Sequence, residues 1–224
     1  MANGKKISRA KASPPQIRQA YGNLSHFYKL VEVFEGGLRR RGLGLLAAKK
    51  GEKVLEIGFA TGSAIKEIVA AIGEKGCACG IEITPRMIEL TQKRLQKAGF
   101  ERRVSLCEGD ARRLPYSDRQ FNAVYIAGTL ELFDTPDIPV VLAEIKRTLK
   151  KDGRLVVSSL SREGKEKSLF IRTYDWLHCR FPKYLNCRSI YPIEALKKAG
   201  FAILQAEPFK LAAVAPYEIL LATK

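Results

Sequence analysis

Glu56 is the residue of this chain whose setting implies the most definite chemistry. It stands in Val54-Leu55-Glu56-Ile57-Gly58-Phe59-Ala60-Thr61-Gly62: a short apolar run, a carboxylate and a turn punctuated by glycine. Gly58 and Gly62 allow a sharp turn and keep side chains away from it. A ligand can then lie against bare backbone N–H groups where the next helix begins. A dinucleotide fingerprint requires G-x-G-x-x-G. The matching places hold Gly58, Ala60 and Ser63, so the pattern fails at two of three. What remains is acidic-x-Gly-x-x-x-Gly. A carboxylate there is a poor neighbour for pyrophosphate and a good one for a cation or an amino group. For proton transfer, His26 and His178 are the candidate bases, since imidazole titrates near neutral pH.

The elements that must position Glu56 follow from apolar spacing. Val54–Ile57 suits a buried strand, and Ile65, Ile68, Val69 and Ile72 fall on one face of a helix over about 63–72. Cys77–Ile83 is a second strand, and a helix entered at Pro85 runs to Ala98, with Gly99 as its stop. Val104–Cys107 and Phe121–Ile126 are strands three and four; Ile138–Leu149 is a helix, and Leu155–Ser158 is strand five. Ile193–Ala199 is a short helix, and Phe201–Ala206 and Tyr217–Thr223 are two final strands, read as a hairpin at the sheet edge. Such alternation predicts an α/β fold with a parallel sheet covered on both faces. Ahead of it, residues 16–48 are helical in pattern, with Gly36-Gly37 expected to split them into two helices. Residues 1–14 form a basic arm, and 160–190, rich in aromatics and cations, read as a partly helical insertion after strand five.

Taken in order, these motifs resemble those of the class I S-adenosylmethionine-dependent methyltransferases. Val54–Gly62 is similar to their motif I. Gly80-Ile81-Glu82-Ile83-Thr84-Pro85 is similar to the segment after strand two, and Gly109-Asp110-Ala111 to the loop after strand three. Leu114-Pro115-Tyr116 through Phe121-Asn122-Ala123-Val124 resembles "LPF…FDAV", with Asn122 for aspartate, and Glu144–Gly153 resembles "E-x-x-R-x-L-K-P-G-G". The resemblance runs from about Tyr21 to Phe201. It implies a Rossmann-like, seven-stranded, mostly parallel sheet with helices on both faces and an antiparallel C-terminal strand. It also implies S-adenosyl-L-methionine as cofactor, with S-adenosyl-L-homocysteine as product. Glu56, Gly58 and Gly62 would hold the methionine part, Glu82 the ribose, and Asp110 and Ala111 the adenine. Ala127 would lie near the methyl donor, and Tyr21, Ala60, Thr61, Ile83 and Met87 complete the implied cofactor contacts.

Within the class, Tyr21–Tyr28 and Leu114–Val124 resemble the ubiquinone/menaquinone (UbiE-like, methyltransferase type 11) group and related phospholipid N-methyltransferases. The D/N-P-P-Y of nucleic-acid N-methyltransferases is replaced by Ala127-Gly128-Thr129-Leu130. The implied acceptor is a small lipophilic or membrane-derived molecule, with Tyr28, Tyr174, His178 and Tyr184 as pocket candidates. A net charge of +16 fits an anionic membrane surface as partner. It also keeps open an RNA or protein methyltransferase, or a cofactor-binding regulator without catalysis. The five cysteines lack zinc-finger spacing, so no metal is expected. No apolar leader or spanning segment is evident. The expectation is therefore a basic arm (1–14), a single domain (15–224) and a cytoplasmic protein, peripheral at the membrane if it docks there. Oligomeric state is not legible.

Overall fold

The computed structural model describes residues 28–181 and 187–224, with side chains from Glu32 onward. The expected basic arm, Tyr21, His26 and Tyr184 lie outside these residues, as does the side chain of Tyr28. Helix α1 (Tyr28–Leu46) precedes β1 (Lys53–Ile57), α2 (Ser63–Ala71), β2 (Cys77–Glu82), α3 (Pro85–Lys97) and β3 (Val104–Glu108). Then come β4 (Phe121–Ala127), a 3₁₀ turn at Leu130–Leu132, α4 (Asp137–Thr148) and β5 (Leu149–Leu160). Helices α5 (Leu169–Arg180) and α6 (Pro192–Lys198) lead to the closing hairpin of β6 (Ala202–Leu211) and β7 (Ala215–Thr223).

The seven strands form one sheet in the order β3-β2-β1-β4-β5-β7-β6. Strands β1 to β5 pair in parallel, and β7 runs antiparallel between β5 and β6. The final two strands do pair as a hairpin, but only β6 is an edge. Burial explains the choice. Strand β7 carries Ile219, Leu220 and Ala222, all fully buried, whereas β6 alternates exposed with half-buried positions. A run apolar on both faces needs a partner on each side. The order in which successive strands are laid down reverses between β1 and β4, and ligands of open α/β sheets bind at the carboxyl ends beside such a switch point.

Helices cover both faces. Ile65, Ile68 and Val69 of α2 and Leu95 of α3 share a core with Leu38 and Leu46 of α1; Ile138, Val141, Leu142 and Ile145 of α4 and Leu196 of α6 share the other. Helix α1 is continuous through Gly36-Gly37, contrary to the expected break. Its glycines serve close packing instead. A Cβ at Gly37 would sit 3.1 Å from the Phe209 ring, and one at Gly42 would sit 2.9 Å from the Tyr125 hydroxyl. Arg154 of β5 fixes the C-terminal end of this helix. It donates to the Leu46 and Ala47 carbonyls, which lack helical partners, and pairs with Glu52 at 2.7 Å. Strand β5 begins at Leu149, six residues before the expected start, because Asp152-Gly153 sits in an irregular stretch of the strand rather than a loop.

Candidate active site

Glu56 is the penultimate residue of β1, with its side chain turned into the protein, 5% exposed. Its Oε2 has no hydrogen-bond partner. Burial, with the nearby Glu82 carboxylate, pushes its pKa up to about 8. A buried carboxyl lacking a partner is costly in a folded chain; here it borders the glycine turn. Glu82, at the end of β2, organises that turn from the other side. Its Oε2 accepts from the Ala60 N–H at 3.1 Å and its Oε1 from the Thr84 N–H at 3.0 Å. Burial raises its pKa too, although these backbone N–H groups favour its charged form. A carboxylate can accept several hydrogen bonds at once, so the same group suits a diol as well.

The turn itself is tightly specified. Gly58 and Gly62 have φ of 72° and 80°, and a Cβ at either would overlap the side chain of Thr129 or Thr91 respectively. Ala60 also has positive φ, at 46°, and its carbonyl accepts from the Thr91 hydroxyl at 2.9 Å. The bulk of Phe59 does not enter the turn. The ring is buried against β2, where Gly80 has no side chain to meet it. Met87 is buried and Ile83 half-buried beside Glu82.

Asp110 follows β3, and both its oxygens are engaged by Arg112, which also reaches Asp137 at 2.9 Å. An adenine amino group would have to share this carboxylate with the guanidinium. Ala111 is buried next to it, and Ala127 closes β4 half-buried. The Glu144–Gly153 motif lies elsewhere and does structural work. Arg147 pairs with Glu144 and Asp118 and donates to the carbonyls of Leu114 and Tyr116, while Glu144 accepts from the Leu114 N–H. The pair clamps the loop that leads into β4.

Helix α1 is tied to the turn by Glu32, a residue the sequence reading missed. Its carboxylate takes Arg94 of α3 at 2.8 and 3.0 Å, Ser63 at 2.8 Å, and the Thr61 hydroxyl. Beside the crevice lie two further carboxyls that were also missed. Glu131, fully buried, accepts from the Ser159 hydroxyl and the Leu160 N–H, joining the ends of β4 and β5. Burial and the neighbouring Glu131 push Glu35 of α1 up to about 7. Tyr174 of α5 and Tyr217 of β7 have raised pKa values, from burial first and then from neighbours that include Glu131. Of the expected pocket residues, Tyr174 therefore lies near this group, half-buried on α5. His178 is buried on the inner side of α5 with 2% exposure. The signal for Glu131 is an acid between two leucines shortly after a largely apolar strand; none marks Glu32, because its partners lie 29 to 62 residues away.

Residues 54–153 match the family model of a methyltransferase domain. The chain is 30% identical to the demethylmenaquinone methyltransferase of Lactobacillus johnsonii over 57% of this chain and 52% of that protein. It is 29% identical to the ubiquinone/menaquinone biosynthesis C-methyltransferase UbiE of Teredinibacter turnerae over 71% and 65%. It thus spans about half to two thirds of the length of these relatives. The [4+2]-cyclase SpnF superposes with a TM-score of 0.75 at 19% identity, covering 97% of this chain and 98% of that one. A SAM-dependent methyltransferase from Aquifex aeolicus gives 0.60 at 19% identity, covering 95% and 98%. Likeness at such identity speaks for the fold alone, and one fold hosts several chemistries.

Proposed function

We propose that the chain is a class I S-adenosylmethionine-dependent methyltransferase and that it methylates a small lipophilic acceptor of the quinone-precursor or phospholipid kind. The observation that carries the cofactor assignment is the buried, unpartnered Oε2 of Glu56 beside a turn held open by Glu82. S-Adenosylmethionine brings a cationic amino group and an electrophilic methyl on sulfonium, and leaves as S-adenosylhomocysteine. Glu56 supplies the counter-charge to that amino group, and the N–H groups of the turn meet the carboxylate. Glu82 suits the ribose diol, and Asp110 and Ala111 border the place for adenine.

The chain's remaining work is alignment and exclusion of water. Helix α1, latched to the turn through Glu32 and Arg94, covers the crevice. Glu35, Glu131, Tyr174 and Tyr217 form the wall where an acceptor would meet the methyl. A base is needed only if the acceptor must lose a proton.

The acceptor class is supported by the names of the relatives, which act on demethylmenaquinone or in ubiquinone and menaquinone biosynthesis. It is supported too by the absence of D/N-P-P-Y after β4. The test is incubation with radiolabelled S-adenosylmethionine and fractionated cell extract. Label is expected in the organic-solvent fraction. Label confined to RNA or protein would sink the acceptor proposal while leaving the cofactor assignment intact. Among the described residues no helix is long and apolar enough to cross a membrane.

A further inference from the structure

Helix α5 turns its strongest apolar side chains outward. Leu169 is 78% exposed and Trp176 62%, and Phe181, directly after the helix, is 44% exposed. Leu169, Arg172, Thr173, Trp176, Cys179 and Arg180 are all exposed, at spacings that put them on one helical face. The opposite face is fastened to the body by Ile171 and His178, which are buried, and by the half-buried Tyr174. The one acid of the helix, Asp175, is withdrawn from the outer face by Arg162 and the Ser189 hydroxyl. The outer stripe therefore carries a leucine, a tryptophan and two arginines, and no carboxylate. Lys167 adds an exposed cation just before it, beside Glu166. The Arg180 guanidinium lies over the Phe181 ring at 5.8 Å.

We propose that this outer face of α5 docks the protein on an anionic lipid surface, with Trp176 and Leu169 entering the headgroup region and Arg172 and Arg180 pairing with lipid phosphates. Tryptophan and leucine beside arginine are the composition of a helix that lies in the interface plane, and arginine stems bury while their charged heads stay in the polar layer. A net charge of +16 selects an anionic surface over a neutral one. Leu169, the most exposed of the three apolar residues, argues against RNA, because an aliphatic side chain gives a base nothing to stack on. The inner face of the same helix carries Tyr174 to the acceptor wall. Docking by α5 thus brings the crevice next to the membrane that would hold a lipophilic acceptor, and in that respect the inference rests on the acceptor proposal.

The chain has a single tryptophan, so its fluorescence reports on this face alone. The full-length protein is titrated with phosphatidylglycerol vesicles and, separately, with phosphatidylcholine vesicles. A blue shift of Trp176 emission is expected with the anionic vesicles, together with quenching by brominated acyl chains and loss of both in high salt. Arg172→Gln and Arg180→Gln should each weaken vesicle affinity about fivefold, corresponding to about 1 kcal/mol per cation. Leu169→Ser should weaken it too, and all three should leave S-adenosylmethionine affinity and thermal unfolding unchanged. Vesicle binding without any emission shift would overturn the proposal and assign docking to the N-terminal arm. Emission already blue and shielded from acrylamide in the free protein would overturn it by showing that the face is already covered. A shift with RNA but none with vesicles would overturn it in favour of a nucleic-acid surface. Label transfer to lipid in detergent micelles is scored separately. Transfer without vesicle docking sinks this inference alone, and docking without transfer sinks the acceptor proposal alone.

Discussion

At the scale of single residues, Glu56 carries the sharpest consequence. Its folded-state carboxyl keeps a proton up to about pH 8, against 4.5 for the ordinary side chain. The folded protein therefore binds the extra proton across that window, and stability falls as pH rises through it. Glu56→Gln removes this dependence. Chemical denaturation should find the variant and the parent alike near pH 4 and the variant more stable by about 2–5 kcal/mol near pH 9. The same variant should lose at least tenfold in cofactor affinity, roughly 1.4 kcal/mol, by calorimetry. Cofactor binding by the parent below pH 8 should release a proton from Glu56, visible as a binding enthalpy that changes with the buffer. Equal enthalpies in phosphate and Tris would contradict this. Gly62→Ala meets Thr91 as well as an unfavourable φ, and about 1–3 kcal/mol of stability should be lost. Adding Thr91→Ala should restore only part of it, because the overlap is relieved and the backbone strain is not.

Elements come next. The glycines of α1 divide by what a side chain would meet. Nothing lies within 4 Å of a Cβ at Gly36, whereas one at Gly42 would press on Tyr125 and Ser158. Gly36→Ala should raise stability by about 0.5–1 kcal/mol through helix propensity, and Gly42→Ala should lower it, as thermal unfolding will measure. Arg94→Met removes the ion pair that holds the Glu32 carboxylate and leaves only the Thr61 and Ser63 hydroxyls to tie α1 to the turn, which loosens the latch. Weaker cofactor binding is expected with little change in the sheet's circular dichroism; unchanged affinity would mean that the latch has no part in shaping the turn. The expected helix break at Gly36-Gly37 failed for a physical reason. In a sequence, glycine is a cheap place to stop a helix and also the only residue that lets a helix approach a sheet closely. The Phe209 ring and the Tyr125 hydroxyl that decide between these uses lie far away along the chain. By contrast, the helix start at Pro85 and the stop at Gly99 were legible because both act locally.

For the whole molecule, the sheet order and the charge are the governing facts. Strand β7 joins β6 to β5 over Arg154–Leu160, so a chain ending at Phe201 exposes the edge of β5 and should be insoluble, which expression tests directly. Residue type and near spacing suffice for the alternation of strand and helix, for the glycine turn and for its carboxylate. Glu56, Glu82 and the two glycines of the turn could be read as one cradle before any fold was known. Tertiary structure alone decided the rest. It engaged Asp110 with Arg112, turned Phe59 away against Gly80, brought Glu32 to Arg94 and buried His178. It also put β7 inside the sheet and left Trp176 outside. Each of these is set by packing between segments distant in the chain, where burial and partner geometry rather than local pattern determine which way a side chain points.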